Sequence, residues 1–206
     1  PATDLKNLLT SLTSGPRDIW VTFPEGWRRE QIAARLASNL DNFDSTGFLS
    51  LTATLEGRLF PDTYLFPKEI TAEQIFEILR ATFESRFSED IRDKIRKNGL
   101  TDEEGVILAS IVEREARSDK ARTEVASILL KRLKIDMGLN ADATIQYALG
   151  YQTDEKSWWK RHLTRDDLKI KSPYNTYLYR GLPPTPICNP SLSSLKAVAN
   201  ANSDTP

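Results

Sequence analysis

The 206-residue chain has one cysteine, Cys188, and one histidine, His162. A single cysteine excludes an internal disulfide and any multi-cysteine metal site. A single histidine excludes a histidine cluster; with no HExxH and no GxSxG, neither a zinc hydrolase nor a serine triad finds its residues. Net charge is -1, so the basic excess of a nucleic-acid surface is missing. No run approaches the roughly 18 apolar residues of a membrane span, and nothing resembles a secretory signal peptide. The chain starts at Pro1-Ala2-Thr3 and stops at Asp204-Thr205-Pro206, and so reads as a piece of a longer protein. What is present is 39% hydrophobic and 28% charged, the composition of a globular domain with a sizeable core. Within it Cys188 reads as a small buried hydrophobe or loop residue, and His162 as a surface residue.

Leu5, Leu8, Leu9 and Leu12 give residues 4–13 a helical pattern, which Gly15-Pro16 ends. Residues 19–23 alternate as a strand, Pro24-Glu25-Gly26 turns the chain, and Ile32, Ala33, Leu36 and Leu40 mark a helix. This order resembles the first half of a LysM-type glycan-binding module, and it equally suits a plain structural subdomain. Residues 51–67, with two prolines and three aromatics, read as a short strand or turn flanked by packed loop. Residues 70–96 read as one long helical region striped by Ile75, Ile78, Leu79 and Phe83 and closed by Asn98-Gly99. Amphipathic helices are expected over 124–133, with Val125, Ile128, Leu129 and Leu133 inward, and over 143–149. Another amphipathic segment covers 154–165, with Trp158 and Trp159. Residues 172–190 hold five prolines and three tyrosines, and residues 191–200 form a last helix. The fold class is therefore α+β. A LysM-like subdomain with an N-terminal helix is expected over 1–50, then a mostly helical domain over 51–206 with long Pro- and aromatic-rich loops.

Residues 101–117 hold the clearest anomaly. Thr101 with Glu104 makes a capping box. At about 100° per residue, Glu115 falls between Leu108 and Ile111, and Glu113 falls beside Val106 and Ala109. Only Glu103, Ser110, Arg114 and Arg117 form a polar arc. A helix apolar on most of its circumference is buried, and an unpaired carboxylate there costs several kcal/mol. Each acid must therefore pair, with Arg114, Arg117, Arg122 and Arg132 near in sequence, or line a cleft that uses it. A carboxyl desolvated in such a place is raised toward neutrality, as a general acid requires. The two acids lie about 200° apart around the helix and should not share one small site.

Two loops could supply a groove. The proline-rich one sets tyrosine faces in a rigid frame suited to a sugar or peptide, or is a surface loop packed by its own aromatics. Asn175 within it is either a ligand-binding or a turn residue. Glu56 and Asp62 lie in the other loop. No metal-ligand spacing or cofactor motif points to a bound group.

Several stretches belong together in order. They are Glu56-Gly57 with Phe60-Pro61-Asp62-Thr63-Tyr64, then residues 108–116, LASIVEREA. Asn140-Ala141-Asp142-Ala143-Thr144-Ile145 and Tyr147-Ala148-Leu149-Gly150 follow. Last come Ser172-Pro173-Tyr174-Asn175-Thr176-Tyr177, Gly181-Leu182-Pro183-Pro184, Pro186-Ile187 and Asn189-Pro190. Over nearly the whole chain they closely resemble the MltG (YceG-like) family of endolytic murein transglycosylases.

The resemblance implies cleavage of nascent peptidoglycan strands between N-acetylmuramic acid and N-acetylglucosamine, leaving 1,6-anhydro ends and ending strand elongation. It makes Glu113 the catalytic residue. Glu115 takes a structural role near it, and Glu56, Asp62, Asp142, Thr144, Tyr174 and Asn175 become substrate-binding candidates. No cofactor and no metal is implied. The partners are glycan strands and peptidoglycan synthases, at the extracytoplasmic face of the bacterial cytoplasmic membrane. The family's N-terminal membrane helix and a C-terminal segment would lie outside this chain. Two departures stand out: the family more often has Gln-Ser-Asp-Pro-Thr at 140–144, and an aromatic or aliphatic residue in place of Arg58. A catalytically silent glycan-binding scaffold is the alternative, and a true hydrolase the third reading.

Overall fold

The computed structural model describes residues 18–203, so the helix expected over 4–13 lies outside the described residues. Strand β1 (Asp18–Thr22) pairs antiparallel with β2 (Thr63–Pro67), with Val21 opposite Tyr64 and Trp20 opposite Leu65. Side chains alternate across the two strands. Val21 and Phe66 turn into a core, while Trp20 and Leu65 stay on the outer face.

Between the strands run α1 (Arg29–Asn39) and α2 (Ser45–Leu51). Helix α1 buries Ile32, Ala33 and Leu36, as the apolar spacing requires. Helix α2, which hydrophobic periodicity does not reveal, starts where the Asp44 side chain accepts the Gly47 N–H and is anchored by buried Phe48. The core beneath the sheet also takes Leu59 and then Ala72, Ile75 and Leu79 of α3 (Ala72–Arg86). A boundary at residue 50 would separate β2 from the strand it pairs with, so the sheet and its core continue past that point.

Residues 70–96 form two helices rather than one. Helix α3 ends at Phe87, Ser88 is extended, and α4 (Glu89–Lys97) begins with Glu89 and Asp90 in its first turn. Acids favour a helix N-terminus, so Ser-Glu-Asp is a start signal inside an otherwise continuous apolar stripe. The break lets Phe83 and Phe87 pack on each other, at 5.4 Å between rings, while Ile91 and Ile95 face the second core.

That second core surrounds α5 (Asp102–Glu115), capped by Thr101 and Glu104 as expected. Every residue from Gly105 to Val112 is buried. Gly105 permits the close approach of α4, since a Cβ there would lie 2.6 Å from Ile95 Cγ2. Ser110, expected on a polar arc, is fully buried: its hydroxyl donates to Ile107 O and accepts the Ile187 N–H. Cys188 is buried beside it and donates to Ser110 O at 3.2 Å.

Helices α6 (Asp119–Lys134), α7 (Asp142–Leu149) and α8 (Leu192–Ala199) complete the helical region. In α6 the inward set is Ala126, Leu129 and Leu130, while Ile128 is exposed, because α6 packs α5 and α8 on a face rotated from the expected one. Residues 154–165 are not helical. Gln152 and Ser157 form a bridge across a tight turn that uses Lys156 at positive φ, and a short 3-10 turn (Asp167–Lys169) follows. Among the described residues, then, the protein has eight α-helices and one two-stranded sheet, an α+β fold that is mostly helical.

Candidate active site

Glu113 lies in the last turn of α5, and its side chain is only 6% exposed. Two separate helices donate to its carboxylate, and a third segment passes beside the side chain. Oε1 accepts from Arg122 Nη2 of α6 at 3.2 Å. Oε2 accepts from the Ser191 N–H at 2.9 Å, the Ser191 hydroxyl at 2.5 Å and the Ser194 hydroxyl at 2.7 Å. Ser191 is the N-cap of α8 and also accepts the Ser194 N–H. The carboxylate thus rests on a helix N-terminus whose free N–H groups and dipole favour negative charge. The third segment is the turn after β1. Gly26, at φ +73°, passes so close that a Cβ there would lie 3.5 Å from Glu113 Cγ.

Arg122 is buried and makes further contacts to Asp119 Oδ1 at 3.1 Å and Glu25 Oε2 at 3.9 Å, while its Nε has no hydrogen-bond partner. Glu25 is far more exposed than Glu113, with 57% of its side chain open against 6%. Burial first, and the charge of Glu113 second, push its pKa above the usual value.

Glu115 faces elsewhere. It is exposed as a residue, but its carboxyl end meets the start of α7. Burial raises its pKa there, and the Ala143 N–H opposes the rise. Two residues of helix place the neighbouring acids against different helices, Glu113 on α6 and α8 and Glu115 on α7.

Glu56 is the other buried acid, 5% exposed. The Arg29 N–H donates to both its oxygens, at 3.2 and 3.3 Å, and Asn189 Nδ2 donates to Oε1 at 2.9 Å. Burial, with the charge of Glu30, pushes its pKa up to about 8 against the pull of the Arg29 N–H and the Arg28 and Arg29 charges. Arg28 itself is buried between two rings, 4.1 Å from the centre of Tyr147 and 4.5 Å from that of Trp158. Tyr147 packs in turn on Tyr174 at 4.7 Å, so an aromatic wall runs from the Glu56 pocket to the proline-rich loop.

The other candidates are dispersed. Asp62 is exposed at the start of β2, accepts the Thr63 N–H and lies 3.6 Å from Arg86. Asp142 accepts the Tyr177 hydroxyl at 2.6 Å at the start of α7. Thr144 is fully buried, donating to Ala141 O and pairing with the Thr176 hydroxyl at 2.9 Å. The Tyr174 hydroxyl pairs with Thr185 at 2.6 Å. Asn175 is buried with both ends of its amide used inside its own loop, by Leu168 O, Ile170 O and the Tyr177 and Leu178 N–H groups. Only Glu56, through Asn189, connects with the segment that holds Glu113. His162 is exposed, and no His, Cys, Asp and Glu cluster among the described residues could hold a metal ion.

Sequence reasoning missed Ser191, Ser194, Asn189 and Glu25. The available signal was Asn-Pro-Ser opening a helix, since a serine N-cap carries the free N–H groups that bind an anion. A groove of about 760 Å³ on the outer side of α6, lined by Ile128, Ile135 and Met137, contains none of the site residues.

Fold and site together define a mostly helical α+β protein with a carboxylate socket where a small sheet region meets a helical one. The YceG-like family matches residues 1–205, and the chain belongs to that family. It is similar to an endolytic murein transglycosylase of Bacillus subtilis (strain 168), 30% identical over 224 residues, 94% of this chain and 60% of that protein. A protein of the same name from Streptococcus pneumoniae serotype 2 is 34% identical over 149 residues, 71% of this chain and 26% of its own length. The crystal structure of a yceG-like protein from Listeria monocytogenes aligns with TM-score 0.77 and 28% identity, over 97% of this chain and 72% of that one. The chain therefore spans about 60% of the length of the Bacillus subtilis relative.

Proposed function

We propose that the chain carries the catalytic region of an endolytic lytic transglycosylase of peptidoglycan. It cuts the bond between N-acetylmuramic acid and N-acetylglucosamine in nascent strands and leaves 1,6-anhydro-muramic ends. Family membership and the names of the relatives support the reaction class. The observation that carries the assignment of the site is the Glu113 carboxylate, 6% exposed and gripped by four donors from two helices.

Glu113 in its acid form gives a proton to the glycosidic oxygen as the bond from the muramic anomeric carbon breaks. The carboxylate so formed takes the proton of the muramic 6-hydroxyl as that oxygen bonds to the anomeric carbon, and the acid is restored. The nucleophile belongs to the substrate, so proximity is built in and one acid serves both steps. The Ser191 and Ser194 hydroxyls can donate or accept, so they accompany either protonation state. The sheet region, which we read as LysM-like, meets the site through Gly26 and is the natural surface for the strand to lie along. In the whole protein we place this reaction at the extracytoplasmic face of the cytoplasmic membrane, beside the synthases that make the strand. Among the described residues no helix is long and apolar enough to cross a membrane, so an anchor would come from outside them.

Incubating glycan strands with the protein and its Glu113→Gln variant, then reading ends by mass spectrometry, tests this. The variant should lose anhydro-end release by about a hundredfold or more with its fold intact. Undiminished release would remove the assignment. Bound strands with no new ends from the unaltered protein would favour the silent scaffold. A hydrolase needs a second carboxylate for water. Glu25, sharing Arg122 Nη2 with Glu113, is the group that could serve, and reducing ends labelled from heavy-oxygen water would identify that reaction.

A further inference from the structure

The reaction as written leaves Glu56 without a task, although it is buried next to the segment that holds Glu113. The connection is Asn189, fully buried with its hydrogen-bonding groups all spent. Its N–H donates to Trp27 O at 2.8 Å, and its carbonyl accepts the Gly26 N–H at 2.9 Å. Its Nδ2 donates to Trp27 O at 3.0 Å and Glu56 Oε1 at 2.9 Å, and its Oδ1 accepts the Leu59 N–H at 2.9 Å. Pro190 follows with its φ fixed by the ring, and the next residue is Ser191, whose N–H and hydroxyl hold Glu113 Oε2. The link from Asn189 to those donors is thus a single residue long and has one of its torsions fixed.

Glu56 ties this link to the frame. Its oxygens receive the first free N–H of α1, that of Arg29, and so fasten Asn189 to a helix terminus. We propose that Glu56 is a positioning residue for Glu113: through Asn189 and Pro190 it sets the Ser191 donors on the Glu113 carboxylate, without touching the glycan. This rests on Glu113 being the proton carrier. The groups facing Glu56 are Arg28, Arg29 and Glu30 at the start of α1, Tyr147 of α7 and Cys188. Burial pushes the Glu56 pKa up to about 8, and glutamine keeps its size and an oxygen to accept from Asn189.

The test is steady-state kinetics at pH 7 on a soluble glycan of alternating N-acetylglucosamine and N-acetylmuramic acid. Glu56→Ala should lower kcat about tenfold to a hundredfold with KM unchanged, because small displacements in an acid–base site are costly. Glu56→Gln should recover most of that loss. Asn189→Asp, which keeps size and the acceptor for Leu59 but deletes the donor to Glu56 and Trp27 O, should lower kcat likewise and decides the matter if Glu56→Ala does not fold. A rise in KM at constant kcat would make Glu56 a glycan-binding group and overturn the inference. So would a Glu56→Gln variant as slow as Glu56→Ala, or an Asn189→Asp variant with undiminished kcat. An active parent protein, dead as Glu113→Gln but unaffected by these changes, sinks the positioning role alone. A parent protein that releases no ends sinks the functional reading and this role together.

Discussion

The two cores of the molecule are assembled in opposite ways. The one under the sheet draws on residues from Val21 to Leu79, contributed by short elements that follow one another along the chain. Its sheet has only two strands, and the outer face leaves Trp20 68% and Leu65 46% exposed. The other core is wrapped round one helix, α5, buried over eight consecutive residues, and it recruits segments as distant as Phe60 and Ala201. Helix α3 joins them, giving Ile75 and Leu79 to the first and Phe83 to the second. The acid site belongs to neither core. It lies at their seam: its donors come from α6 and α8 on the helical side, and Gly26 of the sheet side passes beside the Glu113 side chain.

The largest expected effect on that contrast comes from cutting into each core. Leu108→Ala should cost about 3–5 kcal/mol, measured by urea unfolding, and raise amide exchange throughout the molecule. Leu36→Ala, fully buried as well, should raise exchange in β1, α1 and β2 well above that in α5. Equal exchange rises in both regions for both variants would show a single cooperative unit and erase the distinction.

A pH comparison sharpens it at the seam. The Glu56 carboxyl is raised from 4.5 to about 8 in the folded protein, so between those values the fold keeps a proton that the unfolded chain has lost. Its contribution is full below pH 4.5 and is lost as pH rises through 8. Relative to the parent protein, Glu56→Gln should therefore gain stability on the order of 4 kcal/mol between pH 5 and pH 8.5. Urea midpoints that differ by the same amount at both pH values would contradict the raised pKa. The smallest effect belongs to Glu115→Gln, an exposed residue, which should change stability by less than about 1 kcal/mol and end release by less than about threefold. A Glu115→Gln variant as inactive as Glu113→Gln would undo the division between the two acids of α5.

Much of this architecture is legible from the chain alone. The capping box at Thr101, the strand at β1, the stripe of α1 and the serine that opens α8 are local signals, because caps and alternation depend on neighbours within a few residues. The break at Phe87 and the face of α6 are not, since both are decided by what the helix packs against. Residues 154–165 mislead for a similar reason: Arg114 stacks on Trp159 at 3.9 Å and the Trp159 indole Nε1–H donates to Gln31 Oε1, so this aromatic is spent on clamping α1 to α5 rather than on a helix face.

Glu113 itself announces its importance, because a carboxylate on a helix that is otherwise apolar must have a partner or a use. Which of these applies depends on Arg122, on Ser191, 78 positions away along the chain, and on Asn189, 133 positions from Glu56. Sequence determines that Glu113 enters buried surroundings and, by helix rotation, that it and Glu115 face different ways, although Glu115, expected on the apolar face, is exposed as a residue. Only tertiary structure decides that one of them meets the N-terminus of α8 and that Glu56 is drawn to the same segment, because hydrogen bonds between remote residues exist only once the two cores have closed on each other.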